Sequence, residues 1–209
     1  MKKKHIITLS GKPGSGKSST ADKVAELLSY TRYSSGDIVR NYVRKHGMTL
    51  EEFNARAASD HALDEAIDEE LRKLRDHNDI VVDSRLGFYW IPESFKVYLD
   101  LDISVATARI YKDAVSNVGR GVGAGGAGSL SEAAKQVRAR LNAETRRFKS
   151  LYGVDPYQNS NFDLVINTAR HSPQTVALTV FDNYKKWLKS DTWRQIHSEV
   201  PMGYSFDND

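Results

Sequence analysis

The 209 residues include 30 basic and 27 acidic side chains, a formal charge of +3, and no cysteine. That length suits one globular domain, or one with a small insertion, whose core needs no metal or disulfide staple. The absence of cysteine excludes a disulfide framework, a thiol nucleophile and a thiolate-bound zinc, and the near balance of charge argues against a nucleic-acid footprint spread over one face.

The chain opens on Met1-Lys2-Lys3-Lys4, but too few apolar residues follow for a secretory signal. No later run is long and apolar enough to cross a bilayer. A cytoplasmic protein without a membrane partner is therefore expected. Ile6 to Leu9 reads as a buried central strand, because its apolar residues continue without a polar face. Directly after it comes Gly11-Lys12-Pro13-Gly14-Ser15-Gly16-Lys17-Ser18, which has the G-x-x-x-x-G-K-[ST] spacing of a phosphate-binding loop. Glycines let backbone N–H groups approach phosphate oxygens closely, and the helix that begins near Lys17 aims its unpaired N–H groups at the same anion. Polyphosphate is the expected ligand, with Lys17 on the outer phosphates and Ser18 on Mg2+. Ser19 continues the cradle into the helix, whose apolar face is Ala21, Val24, Ala25, Leu27 and Leu28.

Tyr33 to Asp37 reads as a turn, with Ser34 or Ser35 capping the helix that Ile38, Val39, Tyr42 and Val43 imply. Thr49 and Glu52 have the spacing of a capping box. Between Asp60 and Asp76 an amphipathic charged helix is expected, with Asp60, Asp64 and Asp68 on one face. Such a face is commonly plain solvent-covered surface; its other reading is an acid turned toward a ligand amine. Ile80-Val81-Val82 forms a strand that ends in Asp83-Ser84-Arg85, where ligands of open α/β sheets collect. Asp83 there suits Mg2+ or its waters and Arg85 a phosphate, against the simpler reading of a surface ion pair. Phe88, Tyr89 and Trp90 are assigned first to packing.

Val97 to Leu99 is a further strand, followed by a helix from Ser104. Gly119 to Gly128 is glycine-rich and without acidic residues, which suits a lid or a protruding loop, against the simpler reading of disorder without catalytic purpose. A long helix then runs from about Ser131 to Leu151, capped by Ser129 or Ser131. On it Arg140, Glu144 and Arg147 can share one face, with two arginines around a carboxylate. Phe162 to Ile166 is the last expected strand, and Ser172-Pro173 starts a final helix. The tail after Lys189 carries Trp193, Tyr204 and Phe206 without a clear pattern.

Together these residues resemble the nucleoside monophosphate kinase family, and within it the compact cytidylate kinases common in archaea, from Ile6 to about Tyr184. The phosphate loop alone would place the chain only in a broad superfamily. More restrictive are Ser35-Gly36-Asp37-Ile38-Val39-Arg40, the Asp60, Asp64 and Asp68 helix, Asp83-Ser84-Arg85, Arg109, and the stretch from Arg140 through Tyr152-Gly153-Val154-Asp155. The resemblance implies an α/β three-layer P-loop sandwich, with a five-stranded parallel sheet in the order 2-3-1-4-5 and a small helical lid. It implies a kinase domain over 1–189, with a monophosphate-binding helical region at 36–78, a lid region at 116–150, and a C-terminal tail at 190–209.

The resemblance also implies residue roles. A nucleoside monophosphate is expected near Arg40 and Arg85, with Ser35, Gly36, Asp37, Asp60 and Asp64 around it. ATP is expected on the phosphate loop, with Arg109 near its base or phosphates and Asn167 and Thr168 close to adenine. Ser18 and Asp83 would hold Mg2+. Lys17, Arg140 and Arg147 would surround the transferring phosphoryl group. The implied reaction carries ATP's terminal phosphoryl group to CMP or dCMP, and no general base is required, because the nucleophile is already an anion. The glycine-rich run before the lid helix departs from the family pattern.

Rival readings are a kinase for UMP, AMP or a small hydroxylated metabolite, for which Asp37 or Asp83 can serve as base, and a nonenzymatic nucleotide switch. The chain has no evident N-K-x-D or D-x-x-G sequence where a small GTPase would carry it. A nucleic-acid partner is not expected, because the aromatics are not interleaved with a basic patch. Monomer and weak homodimer both remain open.

Overall fold

Strand β1 (Ile6–Gly11) is buried at every position, in a computed structural model that describes residues 3–49, 52, 53, 56, 61–116 and 129–198. It lies between β3 (Ile80–Asp83) and β4 (Phe95–Asp100), with Ile7 in register with Val81 on one side and with Phe95 on the other. A strand paired on both edges and covered on both faces has no place for a polar side chain pointing to water, hence its unbroken apolar character. β2 (Thr31–Ser34), β5 (Leu164–Asn167) and β6 (Ile196–Ser198) complete a sheet of six strands in the order β2-β3-β1-β4-β5-β6, all of whose pairings are parallel.

The order 2-3-1-4-5 therefore holds for the first five strands, and the count of five is corrected to six. The added strand lies in the tail. Its three residues are only partly covered, so no hydrophobic run announces it. It is fixed by main-chain bonding, Ile196 N–H donating to the Asp163 carbonyl at 3.0 Å, and by the Trp193 indole, which donates to that carbonyl at 3.2 Å. Trp193 also meets Phe95 edge-on, with ring centres 5.8 Å apart.

Helices α1 (Lys17–Leu28) and α7 (Pro173–Lys189) cover one sheet face. Ala21 and Val24 of α1 and Val180 and Tyr184 of α7 share a core with Ile7, Leu9, Val97 and Leu99. Under the other face, α3 (His61–Lys73), the short α4 (Gly87–Trp90) and the long α6 (Leu130–Tyr152) supply two separate clusters. Helix α5 (Ile103–Ser116) follows β4. A smaller group, Val43, Phe53, Leu63 and Ile67, joins α2 (Ser35–Lys45) to α3 away from the sheet. The aromatic run at 88–90 does pack, with Phe88 4.8 Å from the ring of Phe162.

Several caps form as their residue types dictate. Thr49 and Glu52 bond reciprocally, at 2.7 and 3.1 Å. Ser129 and Ser172 accept from Glu132 N and Thr175 N at the starts of α6 and α7. The expected turn at Tyr33 to Asp37 is corrected: β2 runs straight into α2, and Ser34 stands at the cap position without a side-chain bond. Ser35 instead donates its hydroxyl to the Asp83 carbonyl at 3.3 Å, tying α2 to the end of β3. Asp60 and the glycine-rich run Gly119 to Gly128 lie outside the described residues, as do Tyr204 and Phe206.

Candidate active site

The site lies where β1 and β3 end and α1 begins. Gly14 and Gly16 both have left-handed φ, 78° and 82°. At Gly14 an added Cβ would sit 2.9 Å from the Ala106 carbonyl of α5, so a side chain is excluded by contact as well as by conformation. Gly11 ends β1, and Pro13 within the loop is buried. Ser15 turns its hydroxyl inward, where a Cβ on Gly11 would meet it at 2.8 Å. Gly16 precedes the first turn of α1, and the free N–H groups of that turn make an anion seat.

Lys17 folds over this loop and donates to the carbonyls of Gly11 at 2.8 Å and Lys12 at 3.2 Å. Desolvation, helped by the Arg85 charge, pushes its amine down to about 8, against the pull of Asp83 and Glu144. The Ser18 hydroxyl donates to Asp83 Oδ2 at 2.7 Å, bringing the two residues expected at Mg2+ together. Two hard oxygen donors beside a phosphate seat suit Mg2+, which binds through one or two protein oxygens and takes its remaining ligands from phosphate and water. Among the described residues no group of three or more His, Asp or Glu side chains forms a fuller cation site.

Next to the loop a cavity of about 540 Å3 is lined by Gly14 through Thr20, by Arg109 and Lys112 of α5, and by Thr168 and His171 after β5. Arg109 donates to the carbonyls of Thr168 at 2.8 Å and Ala169 at 3.0 Å, and Thr168 donates to the Ser15 carbonyl at 3.3 Å. This bracing fixes the loop against the end of β5. Asn167 ends that strand exposed, its amide oxygen accepting from Ala169 N at 2.9 Å. Lys112 and His171 carry no pattern that reveals them in the sequence; the fold alone brings them to the cavity.

Across the loop the arginines are held by acids. Glu144 Oε2 accepts from Arg85 Nε at 2.6 Å and from the Tyr157 hydroxyl, while Oε1 accepts from Arg140 Nε at 3.0 Å. Burial alone would raise the Glu144 carboxyl, but the Arg85 and Arg140 charges outweigh it and hold it at about 2. The same ion pair outweighs desolvation at Arg85 and raises its pKa. Arg147 does not join this group. It stands 3.6 Å from Asp64 of α3. The expected pair of arginines around Glu144 is thus Arg140 with Arg85, because Asp64 draws Arg147 to the neighbouring helix. Further out, Arg40 reaches Asp37 at 2.5 Å on the exposed first turns of α2, and its guanidinium lies beside Gly36.

Arg32 of β2 is a member of the site that its sequence neighbourhood does not reveal. It reaches Asp83 at 3.3 Å, Asp22 at 3.2 Å and Asp37 at 3.8 Å, joining the metal-side acid to the start of α2.

Residues 6–170 match the cytidylate kinase-like family. The chain belongs to that family. It is 35% identical over 180 residues to a cytidylate kinase of Halobacterium salinarum, covering 85% of this chain and 88% of that one. To a cytidylate kinase of Methanocella arvoryzae it is 33% identical over 185 residues, 87% of this chain and 99% of that one. Among solved structures, shikimate kinase from Acinetobacter baumannii matches 87% of this chain and 93% of its own with a TM-score of 0.58 at 15% identity, a likeness of fold. This member of the family is a nucleoside monophosphate kinase. Among its described residues no helix is long and apolar enough to cross a membrane.

Proposed function

We propose that this kinase transfers the terminal phosphoryl group of ATP to CMP or dCMP, giving ADP and CDP or dCDP. The observation that carries the reading is the Glu144 carboxylate, which orders Arg85 and Arg140 within electrostatic reach of Lys17. ATP phosphates occupy the loop from Gly11 to Ser19, held by its N–H groups and Lys17, with the adenosine toward Arg109, Asn167 and Thr168. Ser18 and Asp83 would hold Mg2+, which would supply positive charge beside the phosphoryl oxygens.

The acceptor lies between α2, α3 and α6. Ser35, Gly36, Asp37 and Arg40 border it on the α2 side, and Asp64 offers a carboxylate oxygen to the amino group of cytosine. Arg85 takes the acceptor phosphate. An oxygen of that phosphate forms the new bond to phosphorus while the bond to the leaving ADP oxygen breaks, so no proton has to be removed. Arg140 and Arg147 stabilise charge on the equatorial oxygens, and exclusion of water from the reacting centre keeps the phosphoryl group for the acceptor. Support for cytosine as the base comes from relatives that carry the name cytidylate kinase.

Initial rates with Mg-ATP and equal concentrations of CMP, dCMP, UMP, AMP and GMP test the choice of acceptor. Faster formation of CDP and dCDP than of any other diphosphate is expected. A faster rate with UMP, AMP or GMP overturns the choice of base.

A further inference from the structure

Asp68 takes no part in the phosphoryl-transfer scheme, yet it is 4% exposed and fully engaged. Its Oδ1 accepts from the Trp90 indole N–H at 3.0 Å, and its Oδ2 accepts from the Tyr152 hydroxyl. Trp90 is the last residue of α4 and Tyr152 the last of α6. One carboxylate on α3 therefore joins three helices.

Ring contacts also reach the junction, Trp90 lying 5.5 Å from the Tyr152 ring and 4.2 Å beneath the Arg72 guanidinium. Leu71 of α3 and Leu74 in the turn that follows it belong to the cluster under β1 and β3, with Ile6, Ile80 and Val82. Phe148 and Tyr152 of α6 belong to the cluster under β4 and β5, with Phe88, Tyr98 and Phe162. Trp90 packs against both. Apolar contact is non-directional and tolerates sliding, whereas two hydrogen bonds to the two oxygens of one carboxylate define a position. The position matters because of what lies one turn away. Asp64 precedes Asp68 by one turn of α3, Arg147 lies just over one turn before Tyr152 on α6, and those two residues stand 3.6 Å apart.

We propose that Asp68 is a positioning residue, which fixes the register of α3 against α6 so that Asp64 and Arg147 meet the acceptor nucleotide together. The inference rests on the assignment of the acceptor to the space between α2, α3 and α6. Burial raises the Asp68 carboxyl, opposed by the bonds from Tyr152 and Trp90. An amide in its place can accept from Trp90 through its oxygen and donate to the Tyr152 oxygen through its nitrogen.

The test compares Asp68→Asn, Asp68→Ala and Tyr152→Phe, with KM measured separately for ATP and for the acceptor. The acceptor used is whichever monophosphate the wild-type enzyme turns over fastest, so an error in the choice of base changes the substrate and leaves the Asp68 result readable. Tyr152→Phe keeps the ring in its cluster and removes one hydrogen bond, so it reports even where Asp68→Ala does not fold. Tyr152→Phe, which removes one buried hydrogen bond, is expected to raise acceptor KM about tenfold, and Asp68→Ala, which removes two, by at least as much, with ATP KM within about twofold for both. Asp68→Asn is expected to stay within about threefold of wild type on both. An unchanged acceptor KM in Tyr152→Phe, or an equal rise for both substrates, overturns the proposal. So does an Asp68→Asn variant as impaired as Asp68→Ala, which would mean that the charge itself meets the substrate.

Discussion

Arg85, just beyond β3, and Glu144, in the middle of α6, are joined at 2.6 Å, and the same carboxylate takes Arg140 at 3.0 Å. Two like charges from separate elements are thereby held close together without repelling each other apart. Charge neutralised in this way can be redirected when an anionic phosphoryl group arrives, because the guanidinium fork offers donors beyond the one that Glu144 uses.

Glu144→Gln keeps the shape of this junction and removes its charge. Arg85 and Arg140 then lose their common anchor, and displacement of reacting groups by about 1 Å costs roughly 100-fold in rate. We expect kcat to fall by about that factor with ATP KM nearly unchanged. Steady-state kinetics with both substrates varied, beside a thermal melt to show that the variant is folded, checks this. Wild-type turnover in the variant would remove Glu144 from the account.

Ser18 and Asp83 lie 2.7 Å apart at the place proposed for Mg2+. Asp83→Asn weakens the acid that orders that site, and losses of about tenfold or more in metal affinity are usual when such a partner is removed. The Mg2+ concentration for half-maximal rate is expected to rise by about that factor. A titration of rate against free Mg2+ at saturating ATP reads it directly, and an unshifted midpoint would exclude Asp83 from the metal site.

Lys17, lowered to about 8 by desolvation and Arg85, loses its proton in the free enzyme as pH rises through that value. A bound polyphosphate favours the charged amine, so its pKa rises on binding and ATP binding takes up protons above about pH 8. At about pH 7 the amine is already charged and the uptake is small. Calorimetry in buffers of different ionisation enthalpy at about pH 7 and about pH 9 should show uptake approaching one proton per ATP only at the higher pH. Equal uptake at both would place the lowered group elsewhere.

Trp193 secures β6 to the edge of β5 and to Phe95, away from the phosphate loop. Trp193→Ala removes a partly buried indole, at a cost of about 2 kcal/mol, which lowers the melting temperature by about 4–8 °C in a protein of this size. Turnover below the melt is expected to be unchanged. A loss of kcat without a loss of stability would give the tail a part in the chemistry.

The features legible in the sequence were those written in adjacent residues. The loop from Gly11 to Ser18, the strand-end Asp83 and the caps at Thr49, Ser129 and Ser172 each depend on spacing within a few positions. Arg32 and Tyr157 were not legible, because their roles come from contacts across the chain: Arg32 with Asp22 and Asp83, Tyr157 with Glu144 and Arg85. The partner of Arg147 shows the same limit. Helical spacing places it on a face with Arg140 and Glu144, but Asp64, supplied by another helix, decides where its guanidinium goes. β6 escaped notice because backbone bonding and one tryptophan, rather than a run of apolar residues, hold it in the sheet.

The most direct test of the account is phosphorus NMR of wild-type enzyme with Mg-ATP and CMP as the sole acceptor. The account predicts one CDP for each ADP formed and little inorganic phosphate, because the acceptor phosphate attacks in a site that excludes water. ADP accompanied by inorganic phosphate alone, or no reaction with CMP under conditions where another monophosphate is converted, would contradict it.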